Sequence, residues 1–350
     1  MSCYHPLVAI KKFDEYTGKN KIKILGSLTD ENHQPVTYDE WLKKCDVNPE
    51  TEKILLPCGN CVGCRLEYSR QWAVRCMLEA QEHKHNYFLT LTYDDEHLKR
   101  YCYRENFDIV ADTGECRIFN SVSLNSGHFT KFMKDLREYF RANYGETDIR
   151  FYGCGEYGDK KGRPHFHIIL FNCNIRDLVY DRSINGFPYY TSETINNIWK
   201  CGIVAISEVT FDSCAYVARY VMKKVKGKGS EYYKEQGQEP PFVRMSRRPG
   251  IARNYFDDNS EKIYKYDNIT LPGGYGKVVE IQPPRYFDTL YEVEHPDELR
   301  TIKDSRMSRS INAEELRKKN TSVKDKFDYL QVLEGNKLDS MSRLPRNFEG

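Results

Sequence analysis

Two histidines separated by one residue are the first candidates for chemistry in this 350-residue sequence. They stand in RPHFHIILF, residues 163 to 171. In a β-strand, residues two apart share a face, so His165 and His167 project together while Phe166 faces the other way. Two imidazoles on one face can hold a divalent cation if a neighbouring strand supplies a third ligand. The pattern therefore predicts a metal site on a strand, although two polar side chains at a sheet surface would give the same spacing.

The third metal ligand is expected from a carboxylate. Glu156 ends the preceding predicted strand and lies across the predicted hairpin from the histidines. Its position depends on the hairpin register, so Asp159 is an alternative. The acidic residues Asp94, Asp95 and Glu96, which follow an earlier strand, are a further source of a carboxylate.

A pair of tyrosines, Tyr216 and Tyr220, stands in AYVARYVMKK, residues 215 to 224. Residues four apart lie on the same face of a helix, and Lys223 or Lys224 shares that face. A tyrosine is a poor nucleophile at its usual pKa of about 10, but a cation on the target phosphate and a nearby lysine favour attack by the phenolate. The alternative is a pair of core tyrosines on an amphipathic helix.

A cysteine cluster, Cys58, Cys61 and Cys64, has two consecutive spacings typical of metal ligands. The start of the chain lacks a signal peptide, so its 12 cysteines indicate free thiols or a metal site before disulfides. Because Tyr68 stands near where a ferredoxin-like cluster would have its fourth Cys, zinc is favoured over iron–sulfur. Cys76 completes our candidate set, with Cys3, His5 and Cys154 as alternatives; unligated thiols are the competing interpretation.

The net charge of +2 means that any DNA-binding field must come from local clusters of basic residues. Such clusters follow the tyrosines, and Arg219, Lys226, Arg247 and Arg248 are the candidate DNA contacts.

Around these residues, hydrophobic periodicity predicts helices over about 65–80, 129–142, 192–200 and 212–226. Alternation predicts strands over 87–93, 149–157, 165–172 and 203–209. Asp212 or Ser213 is available to cap the last of these helices. This order predicts an α+β fold, a central antiparallel sheet with helices packed mainly on one side, plus a C-terminal helical extension.

Five segments are expected along the chain. They are an N-terminal extension (1–56), a Cys-rich loop and helix (57–84), the core (85–228), a basic loop-rich region (229–300), and a C-terminal helix with a polar tail (301–350). The C-terminal helix is predicted over roughly 313–332. No apolar stretch is long enough to span a bilayer, and the sequence has no Walker-type glycine loop.

Taken in order, the strand FLTLTY (88–93), the His-Phe-His motif, and the tyrosines with a following lysine resemble the HUH endonuclease superfamily. The match runs over about 85–226. Further segments resemble the replication initiation proteins of gokushovirus-type microviruses: PCGNCVGCRLEYSRQWAVRC (57–76), GEYGDKKGRPHFHIILF (155–171) and MSRRPGIAR (245–253).

That resemblance implies a nickase that starts rolling-circle replication. Mg²⁺ or Mn²⁺ would sit on His165, His167 and Glu156, and one tyrosine would attack origin DNA, leaving a 5′-phosphotyrosine link and a 3′-hydroxyl. The second tyrosine would cut the regenerated origin. The implied partners are single-stranded or supercoiled origin DNA, a host helicase and a DNA polymerase, with no membrane, in the cytoplasm of a bacterial host.

Two competing functions remain open from the sequence. One is a transposase or relaxase of the same superfamily that uses one tyrosine. The other is a non-catalytic, zinc-containing nucleic-acid-binding module, whose histidines and tyrosines are structural.

Overall fold

A computed structural model gives the fold. It describes residues 3–14, 16, 19–28, 36–48, 51–109, 116–158, 162–184, 186–223, 228–272, 278–323 and 326–342. The chain forms two compact units, a larger one from residues 69–291 and a smaller one from residues 1–68 and 292–345. These units do not coincide with the five segments expected from the sequence.

The strands in chain order are β1 (Leu7–Asp14), β2 (Lys19–Ser27), β3 (Glu52–Leu56), β4 (Asn86–Tyr93), β5 (Tyr103–Ile109), β6 (Cys116–Val122), β7 (Arg150–Tyr157), β8 (Pro164–Phe171), β9 (Leu178–Ile184), β10 (Phe187–Ser192), β11 (Gly202–Glu208), β12 (Phe242–Met245), β13 (Ile269–Pro272) and β14 (Val278–Ile281). The helices are α1 (Tyr38–Lys44), α2 (Val62–Gln81), α3 (Asp95–Cys102), α4 (Ser126–Tyr144), α5 (Glu193–Trp199), α6 (Phe211–Lys223), α7 (Lys228–Glu235), α8 (Arg253–Tyr266), α9 (Arg285–Glu294), α10 (Pro296–Lys319) and α11 (Lys326–Ser342).

The larger unit is built on a seven-stranded sheet in the order β12-β7-β8-β4-β11-β10-β9. Every neighbouring pair in it is antiparallel. Strands β7 and β8 lie well inside the sheet and are buried along nearly their whole length. Burial on both faces explains why β8 reads as a continuous apolar run interrupted only by its histidines.

One face of the sheet packs against α4 and α5. Phe129, Phe132 and Leu136 of α4 and Trp199 of α5 join Leu91 and other alternate residues of the strands in one core. The helical period of α4 places these apolar residues on a single stripe, which is why the helix lies flat against the sheet.

The opposite face packs against α2 and α6. Ala73 and Cys76 of α2 and Val217 of α6 form a second core with strand residues that include Phe88 and Ile169. The predicted α+β class, antiparallel sheet and C-terminal helical region are confirmed, and the helices on this second face are a feature that the sequence pattern did not predict.

Several local expectations differ from the structure. The single helix expected over 313–332 is wrong, because α10 ends at Lys319, before the cap residue Asn320, and α11 starts again at Lys326. The region expected to be loop-rich, 229–300, contains α7, α8 and α9 and contributes β12 to the central sheet. Strands β9 and β10, whose exposed edge carries a weak apolar pattern, were not predicted.

The smaller unit contains a three-stranded sheet in the order β2-β1-β3, with α1 beside it and α10 and α11 from the C-terminal part of the chain. Its buried apolar core is small, formed by Val8, Ile10, Leu25 and Leu42. Within the described part of the chain, no helix combines the length and apolar character needed to cross a membrane.

Candidate metal and nucleophile site

Strand register brings the predicted metal ligands together in the larger unit. In the β7–β8 hairpin, Glu156 pairs with His165, as the sequence predicted. In the β4–β8 ladder, Thr90 pairs with His167. Residues two apart share a face of β8, so both imidazoles and the carboxylate converge on one face of the sheet.

The convergence is close. Oε1 of Glu156 lies 3.0 Å from Nε2 of His165 and 2.8 Å from Nε2 of His167. One ligand atom from each of the three residues lies within 4.8 Å of the other two. We call these residues the Glu-His-His triad. Glu156 and His167 are each 1% exposed, whereas His165 keeps partial access to solvent.

The electrostatics of the triad favour an ionised carboxylate beside neutral imidazole. Burial would raise the pKa of Glu156, but hydrogen bonding with His165 and His167 outweighs it, and the net pKa is below the usual range. Burial lowers the pKa of His167 despite the opposing effect of the nearby carboxylate. A carboxylate and two neutral imidazoles are the protonation states that bind a divalent cation.

A further observation supports a cation at the triad. Oε2 of Glu156 is buried and makes no hydrogen bond to any residue that the structure describes. An unsatisfied buried carboxylate oxygen costs about 1–3 kcal/mol or more, since charged groups are the costliest to desolvate. A divalent cation at this position would satisfy that oxygen, so the residues present fit such an ion.

Both imidazoles are oriented by contacts at their other nitrogen. Nδ1 of His165 lies 3.0 Å from the carbonyl oxygen of Arg163, and Nδ1 of His167 lies 3.0 Å from Oγ1 of Thr90. When Nδ1 carries the proton, the Nε2 lone pair is directed toward the triad, which is the usual arrangement of ligating histidines. Phe88 stacks on His167 with ring centroids 5.4 Å apart. Thr90 and Phe88 lie in the strand motif recognised in the sequence, but their roles were not predicted.

Tyr216 is the predicted nucleophile that the structure places beside the triad. Its ring meets that of His167 edge-on, with centroids 5.1 Å apart, and is 7% exposed. Helix α6, which carries it, begins with a reciprocal cap, since Oγ1 of Thr210 accepts from the Ser213 backbone and Oγ of Ser213 accepts from the Thr210 backbone. The expected cap residues were Asp212 or Ser213; Thr210 completes the pair because α6 starts one residue earlier than predicted.

Other predicted residues cannot be compared with the site. Lys224 and Lys226 lie outside the described residues, as do the side chains of Arg219, Tyr220 and Lys223. Their roles stay predictions.

The alternative carboxylates have other partners. Asp94 caps α3 by accepting from the backbone of His97 at 2.8 Å, and Asp95 pairs with Arg163. Glu96 does not join the triad among the groups found in the described residues. Asp159 lies outside the described residues.

The predicted basic loop is held rigidly at its base. The buried Arg150 pairs with Glu79 and donates to the carbonyl oxygens of Pro249 and Gly250, at 2.9 and 3.2 Å. Glu79 also accepts from the backbone of Ala252 at 2.5 Å. Arg247 and Arg248 are exposed at the start of this loop.

The cysteines divide between the two units. Cys58, Cys61 and Cys64 come together with Cys3 in the smaller unit. Cys76, our first choice for a fourth ligand, instead lies fully buried in the larger unit's core near Cys214, because the helical period of α2 turns it toward the sheet. Cys154 is in the same core, and His5 pairs with Glu334 at 2.6 Å.

Comparison with known proteins places the chain among viral replication proteins. The sequence profile of the replication-associated protein ORF2 family matches residues 86–225. The replication-associated protein ORF2 of Spiroplasma virus 4 is 38% identical over 260 residues, covering 72% of each chain. The replication-associated protein VP4 of Bdellovibrio phage phiMH2K is 31% identical over 256 residues, again with 72% of each chain covered.

A third relative is the replication-associated protein ORF4 of Chlamydia phage 1, which is 32% identical over 242 residues, 67% of this chain and 53% of that protein. No solved structure matches the chain significantly. The matched profile covers the strands and the helix that carry the triad and Tyr216. The chain therefore belongs to the replication-associated protein ORF2 family, with relatives in microviruses of bacteria.

Proposed function

We propose that this chain is a replication initiator that nicks single-stranded DNA at an origin and stays covalently attached to the cut strand. The observation that carries the proposal is the position of Tyr216, whose ring lies 5.1 Å from that of His167 in the Glu-His-His triad. A phenol beside a cation site is the combination that phosphodiester transfer to tyrosine needs.

In this mechanism the triad holds Mg²⁺ or Mn²⁺. The bound ion would neutralise charge on the scissile phosphate and orient it. The Tyr216 oxygen forms a bond to phosphorus while the bond from phosphorus to the 3′ oxygen breaks. The phenolic proton is lost and the 3′ oxygen gains a proton. The products are a 5′-phosphotyrosine link and a free 3′-hydroxyl, which a DNA polymerase extends.

Because the phosphodiester energy is kept in the tyrosine link, attack by a 3′-hydroxyl reverses the reaction and reseals the strand. Tyr220, one helical turn further along α6, is the proposed second nucleophile, with Lys223 or Lys224 favouring the phenolate. It would cut the regenerated origin while Tyr216 holds the first end, so that a unit-length circle is released. Either tyrosine can act first in this scheme.

The proposed DNA contacts are the basic residues Arg219, Lys226, Arg247 and Arg248, which would neutralise backbone phosphates. The anchored base of the 245–253 loop supports a preformed contact there, since its carbonyl oxygens are held by Arg150. Strand separation is assigned to a helicase of the bacterial host, in whose cytoplasm the protein would act.

The test mixes the protein with 5′- and 3′-labelled single strands from the viral genome and Mn²⁺, and separates the products on a denaturing gel. Wild type should form a metal-dependent adduct of protein size that carries the label 3′ to the cut. His165→Ala should form none. Tyr216→Phe and Tyr220→Phe should each lose part of the reaction cycle, and the double variant should lose all adduct.

Tyr189→Phe is the matched control. Tyr189 is 7% exposed, as is Tyr216, but it lies on β10, two strands beyond β4 in the sheet order. An unaffected Tyr220→Phe variant would favour an enzyme with a single tyrosine. Tight DNA binding without any adduct, with or without Mn²⁺, would refute the nickase and favour a non-catalytic binding module.

A further inference from the structure

A second group of metal-ligating side chains lies in the smaller unit, apart from the chemistry proposed above. We call it the four-cysteine cluster, and its members are Cys3, Cys58, Cys61 and Cys64. Their four sulfur atoms all lie within 4.8 Å of one another, and all four thiols are free of disulfides.

The backbone brings these cysteines to one place by sheet register. Leu7 at the start of β1 pairs with Leu56 at the end of β3. The segment that precedes β1 and the segment that follows β3 therefore leave the sheet at the same end, and they carry Cys3 and Cys58 respectively.

The turn that follows Cys58 is suited to wrapping a metal. Gly59 has φ of 76°, a left-handed conformation that side chains other than glycine rarely adopt. This turn folds Cys61 back toward Cys58, and α2 begins at Val62, so that Cys64 lies in its first turn. The short spacings seen in the sequence are thus used by a tight turn followed by a helix.

The distances between sulfur atoms match a single tetrahedral ion. The Sγ atoms of Cys58 and Cys64 are 4.0 Å apart, and those of Cys61 and Cys3 are 3.9 Å apart. Four sulfurs each about 2.3 Å from one zinc ion are about 3.8 Å apart at the corners of a tetrahedron. A disulfide would need about 2.05 Å. An iron–sulfur cubane would need wider separations, because each cysteine binds a different iron atom.

Backbone N–H groups point at the sulfur atoms. The backbone of Cys58 donates to Sγ of Cys3, that of Cys61 donates to Sγ of Cys58, and that of Tyr4 donates to Sγ of Cys61, each at 3.3 Å. Asn60 adds a further donor to Cys58 at 3.4 Å. Hydrogen bonds of this kind are stronger to an anionic sulfur and form the outer shell that orients metal-bound thiolates.

We propose that the four-cysteine cluster binds one Zn²⁺ ion as four thiolates, in a closed structural site that stabilises the smaller unit. Four protein ligands leave no open position for a substrate, so the ion has no catalytic role. The need for it follows from the small core of the three-stranded sheet, since small cores are commonly supplemented by a metal. Zinc would link the segment before β1 to the segment after β3.

The experiment measures zinc in the purified full-length protein by mass spectrometry, in a His165→Ala/His167→Ala background that removes the triad's imidazoles. The expected content is about one zinc per chain, as one closed site requires. Cys3→Ser should lose most of it, and Cys3→His, which restores a fourth ligand, should retain it. Cys45→Ser is the matched control, because Cys45 lies in the same unit outside the cluster, and its zinc content should equal that of the parent.

Replacement by Co²⁺ tests the ligand type directly. The parent protein should show thiolate-to-cobalt charge transfer and the intense visible bands of tetrahedral Co²⁺, both weakened in Cys3→Ser. If Cys3→Ser fails to fold, release of the parent's zinc by a mercurial thiol reagent decides the question. A parent protein with little zinc and no thiolate–cobalt spectrum would overturn the proposal. Iron with acid-labile sulfide, or a Cys3→Ser variant with unchanged zinc, would also overturn it.

Discussion

Thr90 is the residue whose replacement most directly tests how the proposed metal site is oriented. Its Oγ1 lies 3.0 Å from Nδ1 of the fully buried His167. Thr90→Val keeps the shape of the side chain but leaves a buried Nδ1–H without its acceptor, at a cost of about 1–3 kcal/mol. Loss of such an outer-shell contact weakens metal binding by about 10- to 100-fold, which agrees with that cost at about 1.4 kcal/mol per factor of ten.

The assay titrates Mn²⁺ and measures the free ion by electron paramagnetic resonance, with single-turnover nicking rates recorded in parallel. We expect the half-saturating Mn²⁺ concentration of Thr90→Val to rise by about 10- to 100-fold, with the rate at saturating Mn²⁺ close to that of wild type. The matched control is Thr92→Val on the same strand face. Thr92 pairs with His165, whose Nδ1 already contacts the carbonyl of Arg163.

The control should shift the metal affinity by less than about twofold, since it removes no contact to a ligating nitrogen. Unchanged Mn²⁺ affinity in Thr90→Val would refute the orienting role of Thr90. So would a lower saturated rate with no change in affinity. The binding measurement does not depend on nicking, so it remains informative if the proposed function fails.

Three further perturbations test the scaffold. Arg150→Met should destabilise the fold by about 3–5 kcal/mol in urea unfolding, because it leaves Glu79 buried without its partner; burial would raise the pKa of Glu79, but hydrogen bonds from His83, Arg150 and Ala252 lower it, so this stabilisation should be complete above about pH 4.3 and fall as the pH drops further. A loss below about 1 kcal/mol would contradict the first expectation. Thr210→Ala should cost about 1 kcal/mol and Thr210→Ser much less, since only the hydroxyl caps α6. Gly202→Ala should prevent soluble expression or lower Tm strongly, because a Cβ there would lie 2.3 Å from the carbonyl oxygen of Thr92, at a φ of +148°; Gly335→Ala, in open space, should be neutral, and equal behaviour of the two variants would contradict the packing argument.

Much of the larger unit could be predicted from the sequence because its signals are local. The alternation of β4 and the periods of α2 and α4 are set by neighbouring residues along the chain. The same holds for the His-Phe-His spacing, which places two imidazoles on one face in any strand. The choice of Glu156 also succeeded at the level of register, because a hairpin relates residues that are close in sequence.

Three features were decided only by tertiary structure. Thr90 meets His167 because β4 pairs with β8, a contact between residues 77 positions apart that no local pattern encodes. Tyr216 meets His167 because α6 packs on the second face of the sheet. Cys3, and not Cys76, joins the other three cysteines because β1 and β3 pair antiparallel while the period of α2 turns Cys76 into the core. Sequence by itself determined which residue types and local faces were available; long-range pairing of strands, whose loop-closure cost only the whole core can offset, determined which of them meet.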